Sequence, residues 1–253
     1  HAYIELLPDE AEKIGQRVRN MPYRCLLKLM MARMQAVLED APGAYQSAEE
    51  FQTDLALIRE SMEANKGRHA GVFQLSRLQT REKTFGFHLA TLDIRQDSLV
   101  HRQVIGQILN DDNWLELDEN KRADRLSDLL KATRLPALPD DEAVTKTIEV
   151  FRSIKWGQQH FGRRALGPYI ISMTQGADDV LSVLFLARMA GLVEADGRIP
   201  LDVAPLLETV DDLKHGKVIL ERLFTDPVYK AHLATRDQRQ IIMVGYSDSN
   251  KDG

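Results

Sequence analysis

Apolar positions in the first third of the chain recur with a helical period. In "SAEEFQTDLALIRESMEAN", Phe51, Leu55, Ile58 and Met62 stand at i, i+4, i+7 and i+11, so they share one face of a helix. Ser47 and Glu50 precede them at capping-box spacing and mark its start. The preceding stretch, "PYRCLLKLMMARMQAVL", has the same character, rich in Leu and Met with Arg and Lys on the remaining positions. A methionine stripe can serve as a soft binding surface, but core packing is the simpler reading. Residues 1–84 are expected to be a helical region.

A different texture follows. Four short apolar runs, Leu89–Ile94 ("LATLDI"), Gly167–Ser172 ("GPYIIS"), Val203–Leu207 ("VAPLL") and Gln240–Gly245 ("QIIMVG"), have strand length and alternate with helical segments. The last three begin 36 and 37 residues apart, about what a strand, a helix and two connections need. One intervening helix, "ADDVLSVLFLARMAGL", carries Asp178 and Asp179 in its opening turn, where the helix dipole favours anions, and Gly191 where it should stop. The interval of about 70 residues between the first two runs contains a loop marked by Pro136 and Pro139, and it must hold extra helices. The expected class is α/β, predominantly helical. Residues 85–253 would hold about four parallel strands joined by crossover helices, part of a β/α unit with many surrounding helices.

Charge narrows the partners. With 33 basic against 38 acidic residues the net charge is −5, which gives no basic surface of the kind nucleic acid selects. No run approaches the roughly 20 apolar residues of a membrane span, and the first residues show no targeting signal. Cys25 stands alone, which rules out an internal disulfide and fits a reducing compartment, the cytoplasm by default. His1 in place of Met, and Gly253 inside a polar run, read as cuts, so the chain is expected to be an internal piece of a longer polypeptide.

In β/α barrels and open α/β sheets, chemistry collects at the carboxyl ends of the strands. Each run here ends in polar groups: Arg95 and Gln96, then Ser172, then Glu208, then Asp248 and Lys251. Taken singly, each has a plain structural reading. Asp93 and Arg95 can pair with each other, and Glu208 with Asp211 can favour the next helix's N-terminus. Taken together, Glu208 and Asp248 are carboxylates on separate strands that can meet at one hard cation such as Mg²⁺, which completes its shell with water and substrate. Arg95 offers a planar fork for phosphate or carboxylate, and Lys251 a compact mobile cation. The seven histidines lack metal-ligand spacing; His101, His160, His215 and His232 lie in polar, helix-like surroundings, and none is assigned a role. Glycine-rich phosphate loops, nucleophile elbows and paired cysteines are absent.

At these residues the chain resembles the phosphoenolpyruvate carboxylases. "FGFHLATLDIRQDSLVH" is similar to that family's arginine-bearing strand, "YIISMTQGADDVLSVLFLARMAGL" to its next strand and helix, "VAPLLETVDDL" to its metal-carboxylate strand, and "MVGYSDSNKDG" to the signature before its catalytic loop. The resemblance implies a mostly helical subunit around an eight-stranded β/α barrel of the TIM type, of which residues 85–253 would be a part, homotetrameric in the full-length protein. It also implies an anaplerotic lyase reaction: phosphoenolpyruvate and bicarbonate give oxaloacetate and phosphate with Mg²⁺ or Mn²⁺. By the same resemblance Glu208 and Asp248 are metal ligands, Arg95 holds the substrate phosphate, and Lys251 lies near the bicarbonate end. The family's TAHPTE and FHGRGG motifs, which carry catalytic histidine and arginine groups, do not occur here, so the isolated chain is expected to be inactive. Two readings from other classes stay open: another Mg²⁺-dependent barrel lyase acting on a pyruvate-like enolate, and a non-catalytic helical interaction module.

Overall fold

Four parallel strands in sequential order form one sheet in the computed structural model, which describes residues 2–245 apart from the side chains of Ala2, Gln16 and Arg17. The strands are β1 (Leu92–Asp97), β2 (Leu166–Ser172), β3 (Val203–Leu207) and β4 (Met243–Val244). The main helices, in chain order, are α1 (Pro22–Glu39), α2 (Ala48–Ala64), α3 (Val72–Phe85), α4 (Ser98–Leu109), α5 (Glu119–Lys131), α6 (Glu142–Phe161), α7 (Ala177–Met189), α8 (Val210–Thr225) and α9 (Pro227–Ala234). No helix among the described residues is long and apolar enough to cross a membrane.

The chain divides into two compact units. One runs to Ala90 and includes Gln159–Ala165; the other holds Thr91–Gln158 and the residues from Leu166 onward. In the first, α2 starts where the sequence marks it: the Ser47 hydroxyl accepts from the Glu50 N–H at 3.3 Å, and the Glu50 carboxylate accepts from the Gln46 N–H at 3.0 Å. Phe51, Leu55 and Ile58 are buried with Met30 and Tyr45, and Met62 packs against them. Asp54 accepts hydrogen bonds from the hydroxyls of Tyr3 and Tyr45, and the Arg33 guanidinium lies 3.9 Å over the Tyr45 ring.

The second unit contains the sheet. Its strands agree with the expected runs, with shifts that have physical causes. Leu89 takes a left-handed backbone, φ 65°, which no strand residue adopts, so β1 begins at Leu92 and extends to Asp97. Register slips between Leu92 and Ile94, which pair with Leu166 and Tyr169. The slip falls at Gly167 and Pro168, a pair that weakens a ladder, and a side chain at Gly167 would run into the Asp93 carboxylate. Pro205 lacks an N–H in the middle of β3 and marks a change of partner: Val203, Ala204 and Pro205 pair with β2, while Leu206 and Leu207 pair with β4. The fourth run is mostly loop, since only Met243 and Val244 reach that ladder.

One face of the sheet packs on helices through Ile94, Tyr169, Ile171 and Val203. Helix α7 is apolar almost all round and is buried nearly all round, as its composition requires. Its opening turn is the exception. Asp178 and Asp179 are wholly buried and matched by two arginines. Arg102 donates through Nε and Nη2 to the two oxygens of Asp179, each at 2.8 Å, and through Nη1 to Gln175 at 2.9 Å. Arg122 donates to Asp178 at 2.6 Å and to the Leu117 carbonyl. The other Asp178 oxygen has no hydrogen-bond partner among the described residues, and burial with the Asp179 charge pushes its carboxyl up to about 6. His101 also departs from the polar setting expected of it. The ring is wholly buried, its Nε2 lies 2.8 Å from the Tyr169 hydroxyl, and burial lowers it to about 4.

Two consequences are measurable. Arg102→Met should strand Asp179 in the interior and cost about 3–5 kcal/mol of unfolding free energy by urea titration, whereas Arg102→Met with Asp179→Leu should recover much of it. Acidification from pH 7 toward 5 should also destabilise the chain. His101 and His232, both held near 4, refuse a proton that the unfolded chain accepts below about 6.5, while Asp178 opposes the trend by taking one up below about 6. His101→Gln should flatten the pH dependence between 6.5 and 5, and an unchanged slope would mean that the ring is not held neutral.

Candidate active site

Alternation along the strands decides which side chains share the second face of the sheet. Ile94, Tyr169, Ile171 and Val203 point to the helices, so their neighbours Arg95, Ile170 and Ala204 point the other way. Arg95 pairs with Ile170 and Ile170 with Ala204, which sets the three in one row across the sheet. Ile170, Ala204 and Leu206 form a small apolar cluster with Ile241 against it. Two positions beyond Leu206, the same alternation brings Glu208 onto this face just past the end of β3.

Arg95 and Glu208 meet there. Arg95 Nη2 donates to Glu208 Oε1 at 2.7 Å, across the strand that separates theirs. Their surroundings differ: the Arg95 side chain is 51% exposed and that of Glu208 only 14%. The plain reading of Arg95 as one half of an ion pair holds, with a different partner. Arg95 turns to Glu208, and the helix start after β3 is capped without Glu208. The Thr209 hydroxyl accepts from the Asp212 N–H at 3.1 Å, and Asp212 accepts from the N–H groups of Thr209 at 2.9 Å and of Glu208 at 3.1 Å. The Glu208 backbone is thereby tied down, and its carboxylate is left to Arg95.

Gly245 closes the other side. Its N–H donates to the Leu207 carbonyl at 2.9 Å, and a Cβ at this position would lie 3.0 Å from the Glu208 Cα. A side chain here would press on Glu208, so glycine eases the close approach of the end of β4. Asp248 and Lys251, the other two candidates, lie outside the described residues.

The loop after β2 lies at the same end of the sheet. Met173 has φ 57°, a left-handed backbone uncommon for a residue other than glycine, and its side chain is half exposed. The Ser98 hydroxyl donates to its carbonyl at 2.7 Å, and the Thr174 hydroxyl to the Ile171 carbonyl at 2.9 Å. Gln175 and Gly176 give their N–H groups to Asp179, the residue that Arg102 clamps. Gln96 and Ser172 bond locally: the Ser172 hydroxyl donates to the Gln96 carbonyl at 3.3 Å, and Gln96 Oε1 accepts from the Asp97 N–H at 2.9 Å. Asp97 in turn caps α4 through the Leu99 N–H.

Asp212, Gly245 and the Arg102–Asp179 clamp were not singled out from the sequence. The first had a signal, since Thr209 and Asp212 stand at capping-box spacing. The clamp had none, because its arginine and aspartate are 77 residues apart.

A cation fits Glu208 on chemical grounds. Its carboxylate already holds a guanidinium, and carboxylate oxygen suits a hard divalent ion. Among the described residues no group of three or more His, Cys, Asp or Glu side chains gathers into a metal cluster.

Comparison with known proteins adds the family. Residues 3–253 match the family model described as "Phosphoenolpyruvate carboxylase". A phosphoenolpyruvate carboxylase of Xanthomonas oryzae pv. oryzae is 48% identical over 253 residues, covering 99% of this chain and 28% of that protein. Those of Gloeobacter violaceus and Mycolicibacterium paratuberculosis are 37% and 33% identical, over 91% and 96% of this chain and 27% and 28% of theirs. The chain thus spans little more than a quarter of the length of these relatives.

Proposed function

The chain belongs to the phosphoenolpyruvate carboxylase family, and from that premise we propose that it supplies part of a metal-dependent site that joins bicarbonate to phosphoenolpyruvate, giving oxaloacetate and phosphate. The observation that carries this reading is the meeting of Arg95 and Glu208 at the carboxyl end of parallel strands, a phosphate-binding fork beside a carboxylate. The sheet is proposed to continue into a β/α barrel. In support, the outer strands carry exposed apolar side chains, Leu92 on β1 and Met243 and Val244 on β4, as edges awaiting further strands do.

In this mechanism Arg95 holds the substrate phosphate and orients phosphorus toward bicarbonate. A bicarbonate oxygen bonds to phosphorus as the bond from phosphorus to the enol oxygen breaks, leaving carboxyphosphate and the pyruvate enolate. Carboxyphosphate then divides into carbon dioxide and phosphate, and the enolate methylene carbon bonds to carbon dioxide. Glu208 and Asp248 would hold Mg²⁺ or Mn²⁺, which when bound supplies positive charge against the negative charge that builds on the enolate oxygen. Lys251 would lie near the bicarbonate end and help keep carbon dioxide beside the enolate. Asp212 and Gly245 fix the Glu208 backbone, and the buried clamp on Asp179 fixes the loop between the two functional strands. The relatives are more than three times as long as this chain, so groups outside it are proposed to complete the site, in a homotetrameric, cytoplasmic enzyme.

The test has two arms. The 253-residue chain, given phosphoenolpyruvate, bicarbonate and Mg²⁺ with malate dehydrogenase as coupling enzyme, should show no oxaloacetate-dependent NADH oxidation. In the full-length polypeptide, Glu208→Gln should weaken Mn²⁺ activation at least as much as the roughly 10- to 100-fold that loss of an outer-shell partner costs. Sustained turnover by the chain alone would remove the need for outside groups, and metal dependence untouched by Glu208→Gln would remove the metal assignment.

A further inference from the structure

We infer that Arg95 is a latch on Glu208: in the protein without ligands its guanidinium occupies the carboxylate that a divalent cation would use, so metal binds only as Arg95 swings away, which frees the same guanidinium for the anionic substrate. The inference rests on the assignment of a divalent cation to Glu208 proposed above, and it adds how that site is governed.

The geometry gives the two partners unequal freedom. The Glu208 backbone is held. Its N–H is held by Asp212 at 3.1 Å, and Gly245 packs so closely that even a Cβ there would lie 3.0 Å from the Glu208 Cα. Its side chain is only 14% exposed, so little water competes for its oxygens. Arg95 is the opposite case. Its side chain is 51% exposed, its stem is long, and solvent stands ready to hydrate the released guanidinium. When a dication arrives, the carboxylate stays and the arginine leaves.

Occupancy and charge act in the same direction. Glu208 Oε1 accepts from Arg95 at 2.7 Å, so one of the oxygens is engaged, and a fixed positive charge stands where a second cation must approach. Metal affinity in the absence of substrate is therefore held below what the carboxylate could provide. An anion that draws Arg95 away removes the restraint, and by linkage the metal that displaces Arg95 raises affinity for the anion by the same factor. Arg95 accordingly has two roles of opposite sign toward metal: it opposes metal alone and favours metal with substrate.

The experiment is a Mn²⁺ titration by electron paramagnetic resonance, without substrate and at low ionic strength, on the full-length polypeptide and its Arg95→Met, Arg95→Lys and Glu208→Gln variants, with far-ultraviolet circular dichroism of each. Arg95→Met, which keeps the stem and loses the charge, should bind Mn²⁺ about threefold more tightly or better, the scale of a partly exposed ion pair. Arg95→Lys, which keeps a cation, should remain near wild type, and Glu208→Gln should bind more weakly. If Arg95→Met does not fold, Arg95→Gln takes its place with the same expectation. Unchanged or weaker Mn²⁺ binding in Arg95→Met, or in Arg95→Gln where that takes its place, with Glu208→Gln still impaired, overturns the latch and leaves the metal site standing. Unchanged binding in Glu208→Gln removes the metal assignment itself, and the latch with it.

Discussion

Four charged side chains that have left water hold the ends of this sheet in place. Asp178 and Asp179 start α7 inside the core, and Arg102 and Arg122, from α4 and α5, follow them there. An isolated charge at such depth would cost several kcal/mol, so neither pair can be opened by halves. The result is a three-way joint. The loop after β2, the helix after β1 and α5 all converge on the opening turn of α7, through the two oxygens of Asp179 and one of Asp178. The strained backbone at Met173 persists because this joint and the Ser98 hydroxyl hold it on both sides.

The candidate site is built on that rigidity and keeps one part loose. β2 lies between the strand of Arg95 and the strand that leads to Glu208, so fixing its loop fixes the distance over which the two must meet. The Glu208 backbone is held by Asp212 and closely approached by Gly245, and the Arg95 side chain is much the more exposed of the two. A mostly buried acceptor beside an exposed arginine is the arrangement that the proposed exchange of one positive partner for another requires. The Arg95–Glu208 bond adds little to stability, since exposure of the arginine leaves it screened. Its importance is positional.

What the sequence disclosed, and what it hid, divides by distance along the chain. The helix starting at Ser47, the acidic opening of α7 and β3 from Val203 to Leu207 are all written in local pattern, and all stand where that pattern sets them. β1 was displaced by three residues because Leu89 adopts a left-handed turn, which an apolar residue gives no sign of doing. β4 shrank to two residues because its ladder starts only after Pro205 has passed β3 from one partner to the other. Arg95 and Glu208 were legible as candidates from strand-end position, yet their direct contact spans 113 residues and could not be read. His101 is a different case: it stands at i, i+4 and i+7 with Ile105 and Ile108 on the buried face of α4, while its hydrogen-bond partner Tyr169 comes from β2.

The central claim is that Arg95 and Glu208 belong to one site at the carboxyl ends of the strands, with a metal on the carboxylate and an anion on the arginine. Anomalous diffraction at the manganese edge, from crystals of the full-length polypeptide grown with Mn²⁺ and a non-reacting phosphonate analogue of the substrate, tests it most directly. A manganese peak bonded to a Glu208 oxygen, with Arg95 turned from the carboxylate to the phosphonate, is the predicted result. A peak at other residues, with the 2.7 Å bond between Arg95 and Glu208 still in place, would contradict it.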